Sequence, residues 1–156
     1  MTIKCIAVGV DGSEGSEHAL SWAAELATTG DAQILAIHIV PDSWLLELNA
    51  IQVNSDELIA GRRAKLVGEW TEVLRKQGVG HSTELVRGNP ATELLRLAQE
   101  HHADLVVVGG SRHHGPLRDS VLGHTSHRVA SHTTLPVVVV PVPGGGGKTD
   151  WVPIPG

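Results

Sequence analysis

Two hydrophobic rhythms alternate along this chain. Residues 3–10 (IKCIAVGV), 33–40 (QILAIHIV), 104–108 and 136–142 (PVVVVPV) are short, nearly continuous apolar runs. Their length and β-branched content predict buried strands, and turn signals such as Asp11-Gly12-Ser13 and Pro41-Asp42 close the first two. Residues 81–86 (HSTELV) alternate weakly and predict a more exposed strand. Between these runs the apolar positions fall at helical spacing. Residues 16–27 place Ala19, Leu20, Ala23, Ala24 and Ala27 on one face, with Ser16 as the expected N-cap. Residues 56–77 carry a stripe through Leu66, Trp70 and Val73, with Gly78 as the stop. Pro90 opens a helix over 90–101 whose Ala91, Leu94, Leu95 and Ala98 share a face, and 125–132 read as another. Residues 43–54 fit either a loop or a short helix.

Apolar strands separated by amphipathic helices predict an α/β fold, a doubly wound five-stranded parallel sheet with helices on both faces. Right-handed crossovers favour double winding, and the expected strand order is 3-2-1-4-5. Ligands in such sheets bind beyond the carboxyl ends of the strands, where the winding reverses. Here that point lies between the first and fourth strands. The turns that meet there are Asp11-Gly12-Ser13 and the segment 106–126, VVVGGSRHHGPLRDSVLGHTS. Strand, glycine loop and helix N-terminus is an arrangement suited to phosphate.

Composition narrows the function classes. A net charge of −5 argues against nucleic acid as a partner, and the absence of Phe and Tyr removes most platforms on which single strands stack. No apolar run approaches a membrane span, and the first residues lack a secretory leader's apolar core. One cysteine, Cys5, falls in an apolar run and reads as a small core residue. These features predict a cytoplasmic protein with no membrane association. The domain is expected over residues 1–143, followed by a Gly/Pro-rich flexible tail, 144–156.

The chain resembles the universal stress protein family across residues 3–142. The matching stretches are VGVDGSEGSEHALSWAAELA, RGNPATELLRLAQEHHADLVVVGGS and LGHTSHRVASHTTLPVVVVPV, in the family's order and spacing. The resemblance implies a dimeric α/β stress-response regulator, pairing through the final strand (136–142), some of whose relatives bind ATP. It implies that Asp11 contacts ribose or adenine and that the backbone at Ile39 meets the base. The phosphate loop of ATP-binding members resembles G-x2-G-x9-G-[S/T]. Counted from Gly110, its positions fall on His113, Gly123 and His124, so one glycine and the hydroxyl are replaced by histidine. A ring at position 113 occupies space that a glycine leaves for close backbone approach. Thr125 and Ser126 still offer backbone N–H groups at a helix start, and Ser126 matches a second hydroxyl of the motif. The expectation is an ATP site, with or without Mg²⁺, weakened by these changes. The alternative is a nucleotide-free dimeric interaction protein of the same fold.

Other constellations add little. Seven of the ten histidines lie between His101 and His132, but His124 and His127 alone share a helical face at ligand spacing, and no metal site is expected. Ser111 follows the glycines without a Gly-x-Ser-x-Gly elbow, so no catalytic residue is assigned, and slow ATP hydrolysis is the one turnover kept in view. Trp22 and Trp70 are expected in the core or half-buried, and Trp44 at a partner surface.

Overall fold

The computed structural model describes residues 1–110 and 124–142. His113, Gly123, the rest of the loop 111–123 and the tail 144–156 lie outside the described residues. Five strands form one sheet: β1 (Cys5–Gly9), β2 (Gln33–Pro41), β3 (His81–Gly88), β4 (Leu105–Gly109) and β5 (Val137–Val140). All pairings are parallel and the order is β3-β2-β1-β4-β5, the predicted winding. The helices are α1 (Glu14–Gly30), α2 (Asp42–Ala50), α3 (Ser55–Val67), α4 (Glu72–Lys76), α5 (Pro90–Glu100) and α6 (His124–His132). The undecided stretch after β2 is therefore largely helix.

Alternation along the strands sorts side chains onto two faces. Ile6, Val8, Val10, Ile34 and Ala36 meet Ala19, Leu20, Ala23, Ala24 and Ala27 of α1, with Leu66 and Leu74 beside them. Ala7, Leu35 and Ile37 meet Ala91, Leu94, Leu97 and Ala98 of α5 and Val129 of α6. Alanines line α1's inner face, so the helix lies close to the sheet and leaves no room there for an indole. Trp22 consequently stays 38% exposed, outside the core that was one of the two settings expected for it. Cys5 is half-buried against the second cluster, and burial, with the Asp104 charge, raises its thiol pKa. Asp104 fixes the start of β1 against β4, its Oδ2 accepting from the Lys4 and Cys5 N–H groups at 2.8 and 3.1 Å.

Two local departures from the sequence reading shape the sheet's carboxyl end. The first is the start of α1. Ser13, not Ser16, is the N-cap, its Oγ accepting from Ser16 N–H at 3.3 Å. The helix thus begins early enough to include Gly15, which crosses the end of β4 backbone to backbone. A methyl group on Gly15 would overlap the Gly110 carbonyl, and one on Gly109 would overlap the Gly15 backbone. The second departure is a break in the predicted long helix at Gly68, whose φ and ψ are −101° and −94°. The Thr71 hydroxyl takes over the Leu66 carbonyl at 2.8 Å, and the Arg75 guanidinium takes those of Val67 and Gly68. A 3-10 turn (Glu69–Thr71) follows and carries the half-buried Trp70 toward the end of β1.

Gly109→Ala is therefore expected to cost about 1–3 kcal/mol, because the backbones must separate. Gly61→Ala, on the open side of α3 with nothing within 4 Å of an added Cβ, is expected to stabilise by about 0.5–1 kcal/mol. Thermal denaturation of both variants checks this, and a Gly109→Ala protein as stable as the parent would refute the close crossing.

Candidate functional site

The carboxyl ends of β1, β2 and β4 open onto a cleft of about 400 Å³, within the roughly 300–1,000 Å³ typical of small-molecule sites. Ile37, Val108 and Leu94 supply apolar walls. Topology gives the cleft two ends. Gly109, Thr125 and Ser126, from β4 and α6, lie on one side of β1. Ile39, Pro41, Trp44 and Arg62, from β2, α2 and α3, lie on the other. Asp11, Ser13 and Ser16 complete the rim from the β1–α1 turn.

That turn is knitted by short polar bonds. Asp11 Oδ1 accepts from Ser13 N–H at 2.9 Å, Ser16 Oγ accepts from Asp11 N–H at 3.3 Å, and the same hydroxyl donates to the Ser13 carbonyl at 3.0 Å. Gly12, at φ +79°, completes the bend directly beneath the Trp70 indole. Desolvation pushes the Asp11 carboxyl up, but the bonds from Ser13 and Ser16, with His38 nearby, outweigh it and hold its pKa below the ordinary value. Asp11 is thus an anionic acceptor at neutral pH, set at the middle of the cleft.

At the α6 end, Ser126 is buried and its hydroxyl donates to the Gly109 carbonyl at 2.8 Å. That bond ties the helix start to the end of β4. The hydroxyl proton is engaged there, so the donor that Ser126 offers a ligand is its backbone N–H, in a first turn whose N–H groups lack intrahelical acceptors. The helix dipole adds positive potential at the same place. Thr125 is exposed beside it.

Of the residues expected at the site, the structure brings Asp11, Ile39, Thr125 and Ser126 together around the cleft. Gly110 is buried just beyond, its N–H donating to the Val140 carbonyl at 2.7 Å, and His124 is exposed at the first position of α6; neither lines the cleft. Among the described residues, no group of three His, Cys, Asp or Glu side chains could hold a metal ion.

The sequence reading missed His38, Arg62 and the cleft position of Trp44. A histidine inside the apolar run QILAIHIV was the available signal for the first. His38 is 2% exposed. Its Nδ1 bonds the Val10 carbonyl at 2.7 Å, which fixes the proton on Nδ1, and its buried Nε2 has no partner. Trp70 meets the ring edge-on, with centroids 5.1 Å apart. Burial, reinforced by the charge of Arg62, holds the imidazole pKa below its ordinary value, against the opposing Val10 bond and Asp11. The ring is neutral.

The Universal stress protein family profile matches residues 2–141. A universal stress protein of Methanocaldococcus jannaschii is 31% identical over 150 residues, covering 90% of this chain and 83% of the relative. The fold matches that of a universal stress protein solved with cAMP, at a TM-score of 0.67 and 22% identity, covering 91% of this chain and 99% of the other. It also matches that of Archaeoglobus fulgidus solved with dAMP, at 0.65 and 21%, covering 90% and 99%. Among the described residues, no helix is long and apolar enough to cross a membrane.

The neutral, buried His38 sets a pH dependence. Its unfolded-state pKa is near 6.5 and its folded-state value is lower. Above about pH 6.5 its contribution to stability is full; below that, the unfolded chain binds the proton that the folded chain refuses, and stability falls until the folded-state pKa is passed. Melting temperatures from pH 7.5 to 5 should fall, and less steeply in His38→Asn, which retains a donor for Val10 without a titrating ring. Equal slopes in the two proteins would count against the buried neutral imidazole.

Proposed function

The chain belongs to the universal stress protein family, and on that premise we propose that it is a dimeric cytoplasmic stress-response regulator that binds an adenine nucleotide in the cleft between β1 and β4. The observation that carries this reading is the opposition, across one cleft, of an anionic acceptor and a helix start. Phosphates meet the first turn of α6, where N–H groups and the dipole favour negative charge. Ribose hydroxyls meet the Asp11 carboxylate. The base lies toward Ile39 and Pro41, the end of the cleft away from α6. The relatives of the same fold solved with cAMP and dAMP support the assignment of ligand class.

The nucleotide is ATP, held weakly because histidine replaces a glycine at 113 and a hydroxyl at 124 of the phosphate-loop pattern. Asp11 is the one carboxylate among the described residues lining the cleft, so a Mg²⁺ ion would arrive with the phosphates rather than in a protein cage. His113 and Gly123 would meet the outer phosphates, with His124 at the helix entry. In this reading a bound nucleotide alters the loop 110–124 and so changes which partner recognises the protein. No residue is given a catalytic role.

The dimer proposal rests on the β5 edge. Val106 N–H donates to the Pro136 carbonyl and Gly110 N–H to that of Val140, so in a parallel ladder the backbone groups of Val137 and Val139 point away from β4. Four valines in a row at an open edge invite pairing with a second copy.

Calorimetry tests the site. ATP or AMP should bind, and Asp11→Ala should weaken either by about tenfold or more, since a bond to a charged group is lost. Absence of heat and of thermal shift at millimolar ATP would overturn the reading in favour of a nucleotide-free interaction protein. Light scattering tests the assembly. Val139→Pro removes one outward N–H while sparing the β4 ladder, and should convert the dimer to monomer; an unchanged mass would dismiss pairing through this edge.

A further inference from the structure

Two side chains in the cleft wall have no part in holding phosphate or ribose. Trp44 comes from α2 and Arg62 from α3, and both are half-buried. The Arg62 guanidinium carbon lies 4.8 Å from the centroid of the Trp44 indole, inside the range of a cation–π contact. Among the described residues no carboxylate comes within ion-pairing distance of Arg62, although Arg75 and Arg87 each have one and Arg96 has two. A cation drawn partly out of water and left without a counter-ion is poised for a ligand.

The pair is held by packing rather than by chance. Trp44 rests on Val40, Leu45 and Ile59, a small cluster that joins α2 and α3 to the end of β2. Ile59 and Arg62 stand three apart on α3, so burial of the first aims the second along the same face. Ile39 and Pro41 line the same end of the cleft. A flat guanidinium over an indole offers planar, polarisable surface, and both groups accept stacked heteroaromatic rings. The location, opposite the α6 end of the cleft, is where a nucleotide held by its phosphates must put its base.

We infer that Arg62 and Trp44 form a stacking shelf for the ligand's heterocycle, and that this shelf makes the cleft prefer purine over pyrimidine nucleotides. The inference rests on the nucleotide reading above and adds its base specificity. Because the guanidinium lies over the indole, a ligand ring meets the outer face of the stack, and a bicyclic purine covers more of that face than a single pyrimidine ring does. The positive charge also favours the electron-rich face of a purine.

Titration calorimetry with ATP and CTP on the full chain, in the parent and in Arg62→Lys, Arg62→Met, Trp44→Phe and Asp11→Ala, decides it. In the parent, ATP should bind more tightly than CTP. Arg62→Met should weaken ATP by about 3- to 30-fold and bring it close to CTP. Arg62→Lys keeps the charge but loses the plane, and should weaken ATP almost as much. Trp44→Phe should have a smaller effect of the same sign, with a far-ultraviolet circular dichroism melt confirming that the α2–α3 cluster is intact. Asp11→Ala should weaken both nucleotides alike. If Arg62→Met binds both nucleotides as the parent does, or if Arg62→Lys binds ATP like the parent, Arg62 is a bystander or a point charge and the shelf is refuted while nucleotide binding stands. If the parent binds neither nucleotide, both readings fall together.

Discussion

The cleft exists because two glycines let two backbones touch. Gly15, in the first turn of α1, and Gly109, at the end of β4, cross with no space for a side chain on either. That contact draws the β1–α1 turn, with Asp11, against the strand end from which the chain passes toward α6. Ser126 reinforces it from the other side through its bond to the Gly109 carbonyl. The doubly wound topology makes the two turns neighbours, and the glycine crossing decides how near. A side chain at either position would push the walls apart, and no surface substitution could compensate for the changed distance between Asp11 and the start of α6.

Much of this was legible in the sequence, for a physical reason: buried strands must be apolar on both faces, and no other element reads that way over so few residues. The run 33–40 and the strand β2 (Gln33–Pro41) differ by one residue. Crossover handedness implies double winding but leaves more than one strand order open; with the order 3-2-1-4-5, Asp11, Ile39, Thr125 and Ser126 fall around one cleft. What stayed hidden depends on contacts between distant residues. The stripe through Leu66, Trp70 and Val73 runs unbroken across Gly68, yet the helix stops there, because Thr71 and Arg75 take its terminal carbonyls. Ser13 and Ser16 are equally good caps by residue type. The crossing at Gly109 favours the earlier one, which places Gly15 inside the helix. Nothing local marks Arg62 as a cleft residue; its placement depends on Ile59 and on Trp44 one helix away.

The charges around the cleft are arranged to stay apart in their roles. Asp11 is stabilised as an anion by hydroxyls and an amide of its own turn, and it needs no cation. His38 is kept neutral by burial beneath Trp70, with its proton given to the Val10 carbonyl. Arg62 stays charged against an indole face. Acceptor, neutral core and donor therefore coexist in one small cavity without collapsing into a salt bridge that would fill it. A ligand entering this cavity meets groups that are already oriented, which lowers the reorganisation it must cause.

The two margins of the sheet are unlike each other, and that asymmetry bounds how far the molecule can polymerise. Among the described residues β5 has a strand partner on one side only, whereas β3 carries Arg87 in an ion pair with Asp56 of α3 and Glu84 beside the His101 ring just past α5. Joining β5 to β5 would make a continuous ten-stranded ribbon terminated on either side by a charged, helix-flanked β3. Further growth through β3 would have to bring a new strand in beside these solvated charges. If copies pair through β5, the charged β3 margins would leave that pairing as the last step, and the valine row would be covered rather than free to seed fibres.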